Sequence, residues 1–215
     1  MNYAHVIGKK DKKQLNYNLK IMTALENETR QDLLATFEID PSTHFKKLDA
    51  IASIDFKYIR DLKINTLNAL KFQHLTEKEA LLIFLSVALN QNNELLIEKI
   101  FTKAKSIGVS DSELAEVISL VSLLNINNIY YRFRHFIEKE YYNLANPGIK
   151  MSIMLNPILG KELFELLSLC VSALNGCEMC VKSHEASVIQ HGASQEKIHD
   201  AIRATAIAKG FMVCM

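Results

Sequence analysis

The 215-residue chain has no tryptophan, only three prolines and seven glycines, and almost no excess charge, +1 in all. Its longest apolar runs, such as residues 80–85, are far too short to span a bilayer. Residues 1–13 carry lysines with no apolar segment after them, so no secretory signal is expected. The near-neutral balance gives no electrostatic case for nucleic acid or an anionic membrane. Four cysteines, two of them in a single Cys-x-x-Cys, are too few for a disulfide framework at this length. A cytoplasmic protein with a catalytic or metal-binding pair is the expectation. Little Pro and Gly, with abundant Leu, Ile, Ala, Glu and Lys, predicts an all-α chain.

Helical signals recur along the sequence. Leu15, Leu19, Met22 and Leu25, then Leu33, Leu34 and Phe37, suggest one or two amphipathic helices before Pro41. Residues 1–44 carry no recognisable chemistry and read as a packing arm or an oligomer contact. Ile51, Ile54, Tyr58 and Leu62 also fall at helical spacing. Thr76-Glu77-Lys78-Glu79 and Ser110-Asp111-Ser112-Glu113 are capping boxes. The first opens an apolar helix over 77–89, followed by one over about 95–106. The second opens a helix running at least to Leu124.

The same plan returns near the end. Ala173-Leu174-Asn175 matches Ala88-Leu89-Asn90, and Gly192-Ala193-Ser194 matches Gly108-Val109-Ser110. One inserted residue in the first copy aligns them, which predicts an internal duplication. That alignment sets Asn92, Leu95 and Lys99 opposite Cys177, Cys180 and His184, so the second copy carries the chemistry. The predicted parts are an extension (1–44), a structural repeat with an aromatic connecting helix (45–146) and a Cys-x-x-Cys repeat (147–215), the repeats packed as one domain. The connecting stretch interleaves Tyr130, Tyr131, Phe133 and Phe136 with Arg132 and Arg134. With no other basic cluster, these aromatics read as core or subunit interface, with arginine heads snorkelling or pairing.

The densest chemistry is Asn175-Gly176-Cys177-Glu178-Met179-Cys180, with His184 four residues on. Asn175-Gly176 ends one helix and starts the next with the cysteines in its first turn. At about 100° per residue, Cys177, Cys180, His184 and His191 share one face. A helix N-terminus favours thiolate, and paired thiols there can titrate several units below the free value of about 8.5. Upstream, residues 161–171 are apolar almost all round except for Glu165. A buried carboxylate needs a partner or a raised pKa, and Glu165 on the preceding antiparallel helix is placed to orient or protonate His184. A zinc site from Cys177, Cys180, His184 and His191 is the other reading, against which four ligands strung along one helix converge poorly on a tetrahedral point. Cys170 and Cys214 read as packing thiols, and His191 as a C-terminal helix residue favoured by the dipole.

The run from Phe164-Glu165-Leu166 through Asn175-Gly176-Cys177-x-x-Cys180-x-x-x-His184-Glu185 resembles the signature of the alkyl hydroperoxidase D (AhpD) family, in the carboxymuconolactone decarboxylase-like superfamily. The likeness extends to Asn127-Asn128-Ile129-Tyr130-Tyr131-Arg132-x-Arg134 and to Met151-x-Ile153-x-x-Asn156-Pro157, and covers roughly residues 45–215. It implies an all-α homotrimer without cofactor or metal, an antioxidant enzyme that reduces peroxides and passes electrons from a dihydrolipoyl-type reductant to a peroxiredoxin. Cys180 would be the thiol oxidised to sulfenate, and Cys177 the more exposed thiol that resolves it. Glu165 and His184 would form the proton relay. The sequence departs from the pattern at Met179, where the best-known relatives carry His, and in its extension over 1–44. The rival functions are a decarboxylase-type lyase, which requires no Cys-x-x-Cys, and a zinc-stabilised interaction module.

Overall fold

The computed structural model describes residues 10–215, whose regular elements are eleven α-helices and a 3₁₀ turn at Ser152–Met154. The helices are α1 (Lys10–Leu25), α2 (Glu28–Ala35), α3 (Lys46–Ala52), α4 (Lys57–Ala69), α5 (Glu77–Asn90) and α6 (Glu94–Ser106). They continue with α7 (Asp111–Ile137), α8 (Glu140–Leu144), α9 (Lys161–Leu174), α10 (Glu178–Gln190) and α11 (Gln195–Cys214). None of the helices among the described residues is long and apolar enough to cross a membrane.

The chain forms two compact units, Met1–Leu67 with Val213–Met215, and Asn68–Met212. In the first, Arg30 is wholly buried and binds Asp49 at 2.7 Å. Its other nitrogens donate to the carbonyls of Pro41 and Thr43, so one guanidinium ties the loop between α2 and α3 to both helices. A buried charge is tolerable only when paired and hydrogen-bonded in this way. The helical spacing across Ile51, Ile54, Tyr58 and Leu62 does not make one helix. The chain breaks between Ala52 and Lys57, with Asp55 at φ +44°, and Ile54 is left exposed. Spacing alone does not reveal the break, because apolar residues fall at compatible positions on both sides of it.

The second unit is built on the duplicated plan. Both capping boxes form: Thr76 and Glu79 exchange hydrogen bonds at the start of α5, and Ser110 and Glu113 at the start of α7. Helices α5, α6 and α7 in the first copy correspond to α9, α10 and α11 in the second. Helices α5 and α9 are buried over most of their length and pack on each other and on α7, which makes them the centre of the unit.

Backbone hydrogen bonds fix the register between the copies. The Asn93 N–H donates to Ala88 O as Cys177 N–H does to Ser172 O, and Val109 N–H to Ala104 O as Ala193 N–H does to Val188 O. One constant offset aligns everything, with no inserted residue. The positions equivalent to Cys177, Cys180 and His184 are therefore Asn93, Leu96 and Ile100, and Leu81 stands where Glu165 does. The short Ala-Leu-Asn match shifted the sequence alignment by one, whereas the turn geometry is shared position by position. In the first copy Asn93 caps α6 and the other three are apolar core.

Candidate active site

Helix α9 ends in a Schellman turn: Gly176 N–H donates to Ala173 O, and Cys177 N–H to Ser172 O. Gly176 has φ +68°, a left-handed conformation that glycine adopts without strain. The same residue that closes α9, Cys177, is the N-cap of α10, and Cys180 lies in its first turn. The two sulfurs are joined as a disulfide. Cys170 and Cys214 are free and buried. Burial pushes the Cys170 thiol up to about 12 and raises that of Cys214 as well, so both stay protonated near neutrality.

One expectation about the pair is reversed. Cys177 is completely buried, whereas Cys180 keeps 7 % of its surface exposed. Cys177 sits in the crease of the α9–α10 turn, and Cys180, one turn on, reaches the open side of α10.

Helices α9 and α10 pack antiparallel across that turn, and this brings Glu165 to His184. Nδ1 of His184 lies 2.6 Å from Oε2 of Glu165, and both side chains are buried. Burial works against the charge of Glu165. The hydrogen bond from His184 and the positive potential of His184, Lys161 and His191 outweigh it and hold the carboxyl below its ordinary value. Of the two ways to keep a buried acid, a partner and a raised pKa, the fold uses the partner. His191 is not part of the cluster: it is exposed at the C-cap of α10, with Nδ1 2.7 Å from Ser187 O. No group of three or more His, Cys, Asp or Glu side chains placed to hold a metal ion occurs among the described residues.

The turn bearing Cys177 is gripped by side chains whose roles the sequence did not single out. The Asn175 amide donates to Asn128 Oδ1 and accepts from Asn90 Nδ2, and Asn128 Nδ2 donates to Ser172 Oγ. Arg132 Nη1 donates to the Asn175 carbonyl at 2.5 Å. Asn128 and Arg132 stand four apart on α7, on one face of the helix. That helix runs to Ile137, well past the apolar pattern that predicts it, and so absorbs the aromatic stretch. The i, i+4 spacing of the polar residues was the available signal.

The preceding residues on α7, Asn127 and Tyr131, face elsewhere. Together with Met151, Met154, Met179, Cys180, Ser183 and His184 they line a cavity of about 330 Å³. Helix α10 contributes two i, i+4 pairs, Met179 with Ser183 and Cys180 with His184, and Lys161 Nζ fixes the Met154 carbonyl at 2.5 Å. A disulfide-linked cysteine pair, an imidazole anchored by a carboxylate and a largely apolar cavity therefore converge between α7, α9, α10 and the segment 151–154.

Residues 146–215, the repeat that carries all four predicted site residues, match the carboxymuconolactone decarboxylase family. Alkyl hydroperoxide reductase AhpD of Anaeromyxobacter dehalogenans is 33 % identical over 168 residues, 78 % of this chain and 90 % of the relative. The chain belongs to the AhpD family. The AhpD of Coxiella burnetii is 36 % identical over 71 % of this chain and 88 % of its own length. The fold is also that of a crystal structure from Burkholderia xenovorans, assigned as a gamma-carboxymuconolactone decarboxylase subunit, with TM-score 0.62 and 16 % identity over 86 % of this chain and 91 % of that one. Membership of the AhpD family agrees with the all-helical duplicated architecture and with the residues that carried the resemblance.

Proposed function

We propose that the chain is a thiol-dependent peroxide reductase that cycles the Cys177–Cys180 pair between dithiol and disulfide. The observation that carries this is the convergence of Cys180 and the Glu165-anchored His184 on one cavity. The names of the AhpD relatives point the same way.

In the proposed cycle Cys180 is the nucleophile. As thiolate it attacks one peroxide oxygen, an S–O bond forms and the O–O bond breaks. The leaving oxygen takes a proton from His184, whose Nδ1 stays tied to Glu165, so Nε2 is the nitrogen that exchanges protons. Cys177 then attacks the Cys180 sulfenic acid, releasing water and closing the disulfide. A dihydrolipoyl-type dithiol restores the pair, and with a peroxiredoxin partner the electrons pass to that partner's disulfide in place of free peroxide. Because Cys177 is buried, the incoming thiol meets Cys180 first. The setting proposed is cytoplasmic and the assembly a homotrimer, which would cover the exposed Ile129, Phe133 and Phe136 of α7. A decarboxylase-type lyase has no use for the dithiol.

The test is chemical trapping. Cys177→Ser treated with one equivalent of peroxide should accumulate a sulfenic acid at Cys180, and Cys180→Ser should consume no peroxide. Equal residual turnover in both variants would overturn the assignment.

A further inference from the structure

Asn127 is an anomaly in the second unit. It is 6 % exposed, its Oδ1 is buried with no hydrogen-bond partner, and its Nδ2 is spent on a thioether, 3.2 Å from Met151 Sδ. A buried amide with one end unmatched and the other on a weak sulfur acceptor is unfavourable. Nearly all buried polar groups avoid this. The neighbouring Asn128, one residue away on the same helix, is fully matched, donating to Ser172 and accepting from Asn175. Asn127 is one of the residues lining the cavity that Cys180 and His184 also line.

We propose that Asn127 binds the substrate peroxide, with the amide anchoring the O–O–H group and Met151, Met154, Met179 and Tyr131 receiving an apolar organic body. This rests on the peroxide-reductase reading above and names the residue that orients its substrate. The chemistry matches on both sides. A hydroperoxide, R–O–O–H, offers one donor and adjacent acceptors, and a primary amide offers an acceptor beside a donor. Oδ1 accepts from the terminal O–H while Nδ2–H leaves the poor sulfur acceptor for the inner oxygen. That inner oxygen becomes the alkoxide when Cys180 takes the terminal oxygen, so a donor held against it favours departure until His184 delivers the proton. The alcohol R–OH leaves and Cys180 retains the hydroxyl as sulfenic acid: the thiol is oxidised by two electrons and the hydroperoxide reduced by two. Thioethers suit the rest of the wall, because unbranched, polarisable methionine adapts to apolar groups of varied shape. The cavity is at the small end of ordinary ligand pockets, which favours a compact organic hydroperoxide.

The decisive variant is Asn127→Leu, which keeps the volume and removes the unmatched amide, so the fold should tolerate it. For cumene hydroperoxide, kcat/KM should fall about tenfold, the scale of one or two lost hydrogen bonds. Reduction of the Cys177–Cys180 disulfide by dithiothreitol should be unchanged, a readout that a general loss of structure would move. Unchanged kcat/KM would overturn the proposal. A second measurement needs no variant: cumyl alcohol, the product, should slow alkylation of Cys180 by iodoacetamide in the reduced wild-type protein. Absence of protection would also overturn it. If cumyl alcohol protects and the wild type nonetheless consumes no peroxide, the peroxide-reductase reading fails and the ligand site at Asn127 stands.

Discussion

His184 and Glu165 meet across the α9–α10 turn at 2.6 Å, with both side chains removed from solvent. The contact decides which imidazole nitrogen is free. Nδ1 is held by the carboxylate, which leaves Nε2 as the nitrogen free to exchange protons in the proposed cycle. A carboxylate in this position sets the ring's tautomer and orientation, the arrangement that activates nucleophiles elsewhere.

Glu165→Gln retains the size and a hydrogen bond but removes the charge. Peroxide turnover at neutral pH should fall by about 10- to 100-fold, within the range of acid–base assistance, and its pH profile should flatten. Dithiothreitol exchange should fall less, because the helix N-terminus contributes separately to thiolate stability. Stability gives an independent check. The folded carboxyl titrates below its unfolded value of about 4.3, so its contribution is present above that pH and is lost as pH falls through the folded pKa. The stability difference between wild type and variant, from urea unfolding, should shrink between pH 6 and pH 3. A difference independent of pH would mean the charge of Glu165 does not stabilise the fold.

The four cysteines should behave as two classes. With burial holding Cys170 at about 12 and raising Cys214, neither should react with iodoacetamide at pH 8 in the folded protein. One equivalent of peroxide should leave both reduced while Cys177 and Cys180 form a disulfide. Peptide mapping by mass spectrometry reads all four sites at once, and a bridge to Cys170 or Cys214 would refute the assignment.

Arg132→Met removes the donor to the Asn175 carbonyl while keeping much of the side-chain length. It should destabilise the protein by about 1–2 kcal/mol, the size expected for a part-buried charged hydrogen bond. The turn carrying Cys177 loses its restraint, so the dithiol–disulfide equilibrium constant against glutathione should also shift. Destabilisation with no shift in that constant would confine Arg132 to a structural role.

Met179 is 44 % exposed and lines the cavity beside Cys180. A second imidazole at this position would face the reacting atoms, so Met179→His should raise the peroxidase rate by up to about 100-fold. Steady-state turnover from pH 6 to pH 8 measures it, and the gain should grow as the new group begins to titrate. No gain at any pH would show that proton delivery does not limit this enzyme.

Much of the site was readable because its determinants are local. A lone carboxylate in an apolar helix, a tight Asn-Gly turn and a Cys-x-x-Cys four residues before His place Glu165, Cys177, Cys180 and His184 together by helix geometry alone. Both capping boxes were legible for the same reason. What stayed hidden depends on elements distant in the chain. Asn128 and Arg132 act on a turn more than forty residues away, and their i, i+4 spacing marks a shared face without saying what that face holds. Met151 and Met154 enter the cavity wall from a single 3₁₀ turn and the residue before it, too short for a readable periodicity. The burial of Cys177 follows from its double role as the end of α9 and the cap of α10, which spacing does not encode. The break near Asp55 was missed because apolar spacing survives across it.

The constant register between the two repeats has a consequence for electron counting. A duplicated architecture could hold two dithiols, yet Asn93 and Leu96 occupy the places of Cys177 and Cys180, and burial raises the pKa of both remaining thiols. In the proposed cycle each chain therefore stores a single electron pair. A redox titration should saturate at one oxidant equivalent per polypeptide, and in an oligomer the capacity should scale with the number of chains rather than with the number of cysteines or repeats.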